Sequence, residues 1–386
     1  MINSLREKYE KTFAEFVGTV SARAFAHGRH AMVILLKALD IKEGDKVGVC
    51  GYTCISVAEA VKVCGAIPVY LDVDENLCIE PREILRQKPG EIQVVILQHT
   101  FGVPGQLEEL LKACDKIGAK VIEDCAHALG CFWKGRPLGQ FGQGAIYSFE
   151  WGKPYTTGQG GMLTVNSIQI LEKVDDLIKS FASPVSLWNQ LILRFERYLY
   201  PVLGRSKIRG YVSRICNILR LISFTRTHAV RPEDNICFYH GYIRIQDKWT
   251  AAVGLRRLQE WPQLMQLRRD NTAMIEQHLK NADLALWPRP EDANVTLLVY
   301  PIMVSCKPEL LQESRRLKLD ITVWYESPVS PLKGNDLSKV NYYTGVCPKA
   351  EDMIRYLVYL PTGPGLNRQK LQQTFSVVKS LIKKTK

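Results

Sequence analysis

The chain has no segment suited to crossing a membrane and no cysteine pattern typical of metal or disulfide sites. It contains no window of about 18 apolar residues, which argues against a spanning helix. The first residues are charged and lack the apolar core of a secretory signal. The 11 cysteines include no Cys-x-x-Cys pair and no Cys/His set at zinc spacing. We therefore predict a cytoplasmic protein with reduced, mostly buried thiols and no metal.

Acidic residues are in the minority, and the imbalance is local. The chain has 51 Lys and Arg against 39 Asp and Glu, a net charge of +12. Between residues 182 and 230 there are eight basic residues and one acidic residue, Glu196, which gives 8 − 1 = +7. A diffuse excess would suggest nucleic acid, whereas a local excess indicates a patch with its own role. Because no recognisable DNA-reading module carries the charge, we predict no nucleic-acid partner.

Short apolar runs alternate with helical stretches along the first half of the chain. Strands are predicted at 46–50, 92–98 and 120–124, with helices between them. This alternation is typical of a parallel sheet covered by helices. We also predict that the first 25 residues form one amphipathic helix, and that 249–258 and 264–279 form two long helices.

Two residues in this pattern suggest a cofactor. Lys153 follows a predicted strand, and Asp124 ends another strand 153 − 124 = 29 residues earlier. A lysine amine can form a Schiff base with the aldehyde of pyridoxal phosphate, and a carboxylate keeps the pyridine nitrogen protonated. A carboxylate that ends an apolar strand without a partner would be costly. We therefore predict that Lys153 is catalytic and that Asp124 binds the cofactor; the alternative is that Asp124 only caps a turn.

Blocks of sequence along nearly the whole chain resemble, in order, the DegT/DnrJ/EryC1/StrS sugar aminotransferases, which are fold type I pyridoxal phosphate enzymes. The blocks are Gly28-Arg29-His30-Ala31, His99-Thr100-Phe101-Gly102, Ile122-Glu123-Asp124-Cys125-Ala126-His127, Ser148-Phe149-x-x-x-Lys153, Gly158-Gln159-Gly160-Gly161 and Leu360-Pro361-Thr362-Gly363. The resemblance implies an α/β fold with two domains. The large domain, residues 1–260, would hold a mostly parallel sheet with helices on both faces and a basic helical insertion at about 175–240. The small α+β domain would cover 261–386.

The resemblance also implies roles for single residues. Gly28, Arg29 and Ser148 would bind the cofactor phosphate, with the N–H groups and dipole of a helix start contributing. His127 would lie beside the cofactor ring or its phenolic oxygen, although a structural histidine remains the alternative. Tyr52 and Cys54 fall in a cofactor-binding block. Cys54 occupies a position where the family usually has an aromatic residue that stacks on the ring.

The resemblance implies transfer of an amino group from glutamate to a keto sugar. The sugar would most often be nucleotide-linked and serve surface polysaccharide synthesis, and the enzyme would be a homodimer. The alternative from another class is a pyridoxal-phosphate-binding regulatory or scaffold protein with little turnover. For residues 185–230, three roles stay open: peripheral contact with a membrane, a helical hairpin that packs on the partner subunit or covers the active site, or an acidic protein partner.

Overall fold

The computed structural model describes residues 4–203 and 242–385. The helices in these ranges are α1 (Ser4–Val17), α2 (Gly28–Ala38), α3 (Ile55–Val63), α4 (Pro81–Leu85), α5 (Leu107–Ile117), α6 (Ile168–Phe181), α7 (Leu187–Leu203), α8 (Lys248–Asn281), α9 (Lys307–Leu317), α10 (Pro348–Tyr356) and α11 (Arg368–Thr385). The strands are β1 (Ser21–Phe25), β2 (Lys46–Cys50), β3 (Thr53–Cys54), β4 (Ile67–Leu71), β5 (Val94–Gln98), β6 (Lys120–Asp124), β7 (Phe132–Trp133), β8 (Arg136–Pro137), β9 (Gly144–Ser148), β10 (Gly161–Val165), β11 (Ala182–Pro184), β12 (Ile243–Ile245), β13 (Ala293–Asn294), β14 (Val299–Met303), β15 (Val329–Ser330) and β16 (Leu357–Pro361).

One sheet organises the described part of the chain. Nine strands lie in the order β11-β12-β1-β10-β9-β6-β5-β2-β4. The five strands from β9 to β4 run parallel to one another, while β10 and β1 are antiparallel to their neighbours. All five residues of β5 are buried, as expected for a parallel strand covered on both faces. The predicted mostly parallel sheet is therefore confirmed.

The helix predicted for the first 25 residues is shorter in the structure. Helix α1 ends at Val17, and Gly18 follows with φ of 69°, a left-handed conformation that stops the helix at little cost. Residues Ser21–Phe25 then form β1 instead of further helix. The side chains of Ala22 and Ala24 point into the core, and β1 pairs with strands on both sides. Period-two burial and sheet pairing thus outweigh the helical preference of this segment.

A second difference lies at residues 248–281, where two helices were predicted. The structure has the single helix α8, with Pro262 inside it. Pro262 removes one backbone N–H donor, but the helix is held by buried contacts on both sides of it, including Trp261 and Arg268. The predicted domain boundary at 260/261 lies within this continuous helix, and the division into domains stays a prediction.

The C-terminal part closes over one edge of the sheet. Strands β14 and β16 pair antiparallel, and helices α9, α10 and α11 surround them. A separate parallel pairing joins β15 to β3, so that Val329 and Ser330 lie beside Thr53 and Cys54. This pairing places residues 329 and 330 of the C-terminal part near the carboxyl ends of the parallel strands.

The basic segment is described only in part. The predicted insertion at about 175–240 starts within α6, continues through β11 and enters α7, while residues 204–241 lie outside the described ranges. Arg197 of α7 donates from Nε to the carbonyl oxygen of Thr157 at 2.7 Å and from Nη2 to Thr250 Oγ1 at 2.7 Å. Among the residues described, no helix has both the length and the apolarity needed to span a bilayer.

The packing of α1 on α8 gives a test of the fold. A Cβ on Gly254 would lie 2.5 Å from the Tyr9 ring. Tyr9 is fully buried, and its hydroxyl lies 3.0 Å from the Tyr155 hydroxyl, so the ring has little room to move. We expect Gly254→Ala to lower the free energy of unfolding by roughly 1–3 kcal/mol through overpacking, measured by denaturant unfolding. Adding Tyr9→Leu should recover part of this loss; strictly additive losses would contradict the proposed clash.

Candidate active site

The carboxyl ends of three parallel strands border one cavity of about 230 Å³. Gln98 ends β5, Asp124 ends β6 and Ser148 ends β9, and all three line the cavity. In open α/β sheets, ligands bind at this edge. The N-termini of α2 and α3 meet the same space, as do Tyr325 and Pro331 from the C-terminal part.

Seven of the eight site residues predicted from the sequence line this cavity. They are Lys153, Asp124, His127, Ser148, Gly28, Arg29 and Cys54. Tyr52 does not, and its predicted position at the site is corrected. Its side chain is fully buried behind the cavity wall, where its hydroxyl lies 2.6 Å from the hydroxyl of Tyr359. Cys54 immediately precedes α3 and borders the cavity, whereas the Tyr52 ring packs in the core against Phe101 and Tyr325.

Asp124 presents a carboxylate oxygen to the cavity. Only 5% of the residue is exposed. Its Oδ1 accepts a hydrogen bond from the Ala126 N–H at 3.0 Å, whereas Oδ2 has no partner among the residues that the structure describes. Burial raises the pKa of the Asp124 carboxyl, while the Ala126 bond and the positive charge of Lys153 act in the opposite direction. A buried carboxylate with one vacant oxygen is a site for a cationic or N–H partner.

The side chains of Lys153 and His127 contact each other in the cavity. Lys153 Nζ lies 3.0 Å from His127 Nε2. The Nδ1 of His127 accepts a hydrogen bond from the Phe101 N–H at 3.3 Å, so a neutral ring carries its proton on Nε2. Burial and the charge of Lys153 hold the pKa of His127 well below its usual range. In this tautomer His127 presents an N–H donor to the cavity, and the Lys153 nitrogen can accept from it only as the neutral amine, because an ammonium group is a donor alone.

Phe101 is positioned for this contact by its backbone. Its φ is 56°, a left-handed value that is unusual for an aromatic residue. Its ring lies parallel to the His127 imidazole, with 6.0 Å between centroids and 2° between planes. Phe101 was not predicted as a site residue, because a strained backbone leaves no mark in a single sequence.

The start of α2 forms another wall of the cavity. Helix α2 begins at Gly28, and the side chain of the preceding residue, His27, does not cap it. Its first N–H groups are thus available to an anion, as the helix dipole favours. A Cβ on Gly28 would lie 3.1 Å from the Cβ of Ser148, so glycine allows the helix start to approach β9 closely. Arg29 is nearly buried, and its Nη1 donates to Glu59 Oε2 at 3.2 Å.

The sequence predictions missed a second carboxylate in the cavity. Glu150 lies between Ser148 and Lys153, and its Oε1 lies 3.1 Å from His27 Nδ1. Burial raises the pKa of this carboxyl, but the hydrogen bond from His27, the charge that His27 carries when it is protonated, and the charges of Lys153 and Arg29 outweigh it and bring the pKa to about 2. Alternation along an extended segment places Ser148 and Glu150 on one face, a signal that could have identified Glu150.

One buried group of potential metal donors lies behind the site. His99, Glu123 and Cys125 have donor atoms within 4.8 Å of one another. The Glu123 carboxylate already accepts four hydrogen bonds: from His99 Nε2 at 2.9 Å and from the N–H groups of Gly139 at 2.7 Å, Phe141 at 2.6 Å and Gly142 at 2.9 Å. With its acceptor capacity used, Glu123 organises the loop at 139–142, and the absence of a metal stays a prediction.

Comparison with known proteins agrees with this arrangement. GDP-perosamine synthase of Vibrio cholerae is 28% identical over 225 residues, which cover 58% of this chain and 57% of that protein. The spore coat polysaccharide biosynthesis protein SpsC of Bacillus subtilis is 34% identical over 169 residues, 44% of this chain and 43% of that protein. The chain thus spans about half the length of the relatives it matches.

Solved structures share the fold. A putative sugar aminotransferase, Spr1654 of Streptococcus pneumoniae in its PLP form, superimposes with a TM-score of 0.74 at 17% identity, covering 98% of this chain and 91% of that one. The aminotransferase from Psychrobacter cryohalolentis gives 0.75 at 23% identity, covering 99% and 92%. The predicted fold type I architecture is confirmed. A family model matches residues 4–379, and the chain accordingly belongs to the DegT/DnrJ/EryC1/StrS aminotransferase family.

Proposed function

We propose that this protein is a pyridoxal-phosphate-dependent aminotransferase that transfers an amino group, with glutamate as donor, to a keto sugar. The observation that carries the proposal is the convergence of Lys153 and the vacant Asp124 oxygen on one cavity beside an uncapped helix start. The acceptor class is supported by relatives named for GDP-perosamine and for spore coat polysaccharide. We infer a nucleotide-linked keto sugar that feeds surface polysaccharide synthesis.

The residues present fit the cofactor. The vacant Oδ2 of buried Asp124 suits the protonated pyridine nitrogen, which is a charged N–H donor. The first N–H groups of α2 and the Ser148 hydroxyl suit the phosphate, since the close approach at Gly28 leaves no side chain between them. The Nε2–H of His127 suits the phenolic oxygen. Lys153 would hold the aldehyde carbon covalently.

When bound, pyridoxal phosphate supplies an electron sink that stabilises negative charge at the donor carbon. The protein residues supply position and proton transfer. Lys153 Nζ, free once the donor amine has replaced it at the aldehyde carbon, would take the proton from the donor carbon and deliver it to that aldehyde carbon. Asp124 would stay ionised against the pyridine nitrogen. His127, fixed by the Phe101 amide, keeps Lys153 in reach at 3.0 Å.

The alternative function is a cofactor-binding scaffold with little turnover. The two differ in one measurement: adding glutamate to the cofactor-loaded protein should abolish the visible absorbance of the lysine-bound cofactor and release 2-oxoglutarate. A scaffold would keep the absorbance unchanged. Keto-sugar nucleotides added afterwards should restore it, with the amino sugar detected by mass spectrometry.

Replacing the lysine is the most direct test of the site. We expect Lys153→Ala to abolish both borohydride trapping of the cofactor and amino transfer, because no other lysine lines the cavity in the described residues. Peptide mapping of the reduced wild type should find the label on Lys153. Lys134→Ala, which changes an exposed lysine outside the cavity, is the matched control. Label on a different lysine, together with an active Lys153→Ala enzyme, would refute the assignment.

Asp124→Asn should separate stability from activity. The folded-state pKa of this carboxyl is raised, so ionising it disfavours the folded state, and stability falls as pH rises through that pKa. In the cofactor-free protein at pH 8, we expect Asp124→Asn to raise stability by roughly 1–3 kcal/mol, with the gain vanishing at acidic pH. The loaded variant should lose most activity, because an amide cannot favour the protonated pyridine.

Thermal unfolding across pH measures the first effect and transamination the second. Asp115→Asn, at an exposed position on α5, is the control for a neutralised carboxylate. Wild-type activity in Asp124→Asn, with an unchanged pH profile of stability, would make Asp124 a turn cap only.

We further propose that α7 docks on an anionic membrane surface. Ile192 and Leu193 of α7 pack into the protein, but its other face exposes five large apolar side chains: Leu187, Trp188, Leu191, Phe195 and Tyr198. Arg194 stacks on Trp249 at 3.9 Å, and Arg256 lies in the same surface pocket. An aromatic face flanked by arginines is typical of interfacial helices, and each basic residue near the surface contributes about 1 kcal/mol.

Co-sedimentation with vesicles of graded phosphatidylserine content tests this docking. We expect binding that rises with anionic lipid and falls with salt, and that drops at least about tenfold in Trp188→Glu/Phe195→Glu. Tyr343→Glu alters an exposed aromatic residue elsewhere and should bind like wild type. Protein that stays in the supernatant at every lipid composition refutes docking. If the double variant instead dissociates a dimer in size-exclusion chromatography, the face is the predicted homodimer interface.

A further inference from the structure

Glu150 lies in the cavity but has no part in the proposed amino transfer. Its backbone carbonyl accepts the Lys153 N–H at 3.1 Å, so the same turn positions both side chains. Lys153 moves the proton, Asp124 meets the pyridine nitrogen and His127 meets the phenolic oxygen. A carboxylate beside these groups is therefore available for another part of the substrate.

The orientation of Glu150 is fixed by a chain of two residues. Gln159 Nε2 lies 2.7 Å from His27 Nε2, and because an amide nitrogen only donates, this imidazole nitrogen is the acceptor. The proton of a neutral His27 ring is then on Nδ1, which donates to Glu150 Oε1 at 3.1 Å. His27 is itself buried, at 6% exposure, so the ring has little freedom to turn.

The second oxygen of Glu150 is free for a ligand. Oε2 has no hydrogen-bond partner in the described ranges, 43% of the side chain is exposed, and the residue lines the cavity. With its pKa brought to about 2, the group is a carboxylate at any working pH and can only accept hydrogen bonds. Sugar hydroxyls are donors without charge, so a fixed carboxylate suits them and disfavours an additional anionic group at that position.

We propose that Glu150, held in place by Gln159 and His27, is a specificity-determining residue that accepts hydrogen bonds from hydroxyl groups of the sugar acceptor. The inference rests on the proposed function and adds a recognition element to the same site. Gln159 and His27 are positioning residues that act through Glu150.

The experiment is a pair of substitutions at this carboxylate. Glu150→Gln keeps the shape and can still accept from His27, but it presents an N–H donor to the cavity in place of an acceptor. Glu150→Asp keeps the charge but withdraws it by one methylene. Glu75→Gln, at an exposed carboxylate paired with Lys349, is the matched control. Cofactor loading and the glutamate half-reaction should stay within about twofold of wild type in all three variants.

Recognition is read by calorimetric titration of unreactive probes: GDP-mannose, UDP-glucose and the mono-deoxy derivatives of each. Wild type and Glu75→Gln should bind one parent about tenfold or more tightly than one of its deoxy derivatives. Glu150→Gln should bind the parent and that deoxy derivative with equal affinity. The affinity ratio of Glu150→Asp should lie between those of wild type and Glu150→Gln. When the substrate is a keto sugar that the wild-type enzyme aminates, Glu150→Gln should raise its KM by a similar factor while kcat changes little.

Three results would overturn the inference. The first is wild-type discrimination retained in Glu150→Gln, and the second is failed cofactor loading in that variant, which would place Glu150 in the cofactor site. The third is wild type that binds none of the probes. An absence of amino transfer in wild type would refute the proposed function instead. The titrations would still decide whether Glu150 accepts hydrogen bonds from the sugar hydroxyl groups.

Discussion

The register of the parallel strands is the constraint on which the site depends. Gln98 of β5 pairs with Asp124 of β6, and Asp124 pairs with Ile146 of β9, two residues before Ser148. Successive residues of a strand face opposite sides of the sheet, so Glu123 and Asp124 serve different environments. Glu123 meets backbone N–H groups and His99, whereas Asp124 meets the cavity. A slip by one residue would exchange the two carboxylates and remove the site.

The site concentrates groups that are unfavourable for folding. Asp124 is buried with one oxygen that has no partner within residues 4–203 and 242–385, and Phe101 adopts a left-handed backbone conformation. A strained residue of this kind costs on the order of 1–3 kcal/mol and persists only where the surroundings impose it. The fully buried strand β5 and the buried residues 121–124 of β6, with the helices that cover them, supply that rigidity. Stability is thus given up locally to keep a cofactor-sized cavity charged and open.

The loop that carries Lys153 is also connected to the basic segment. The Thr157 carbonyl accepts a hydrogen bond from Arg197 of α7, and the same guanidinium reaches Thr250 at the start of α8. Burial brings the pKa of Arg197 down to about 10, but it remains a cation at neutral pH. Any displacement of α7 therefore acts on the loop after Lys153. Partly buried Arg197 is thus one link between this segment and the loop that follows Lys153.

The sequence by itself determined the fold class and the family, and it predicted most of the residues that line the cavity. Apolar alternation predicted the parallel strands, and the positions of Asp124 and Lys153 after them predicted a cofactor there, because its chemistry requires an amine and a carboxylate; the resemblance to the family added Ser148. Local pattern could not reveal that Tyr52 points away from the cavity, that β1 replaces the end of a helix, or that Pro262 lies within a continuous helix. These outcomes follow from burial and pairing with distant residues such as Tyr359 and Met162. The tautomer of His127 and the anchoring of Glu150 were likewise decided only by the tertiary structure, because each depends on a hydrogen bond from a residue far away in the sequence.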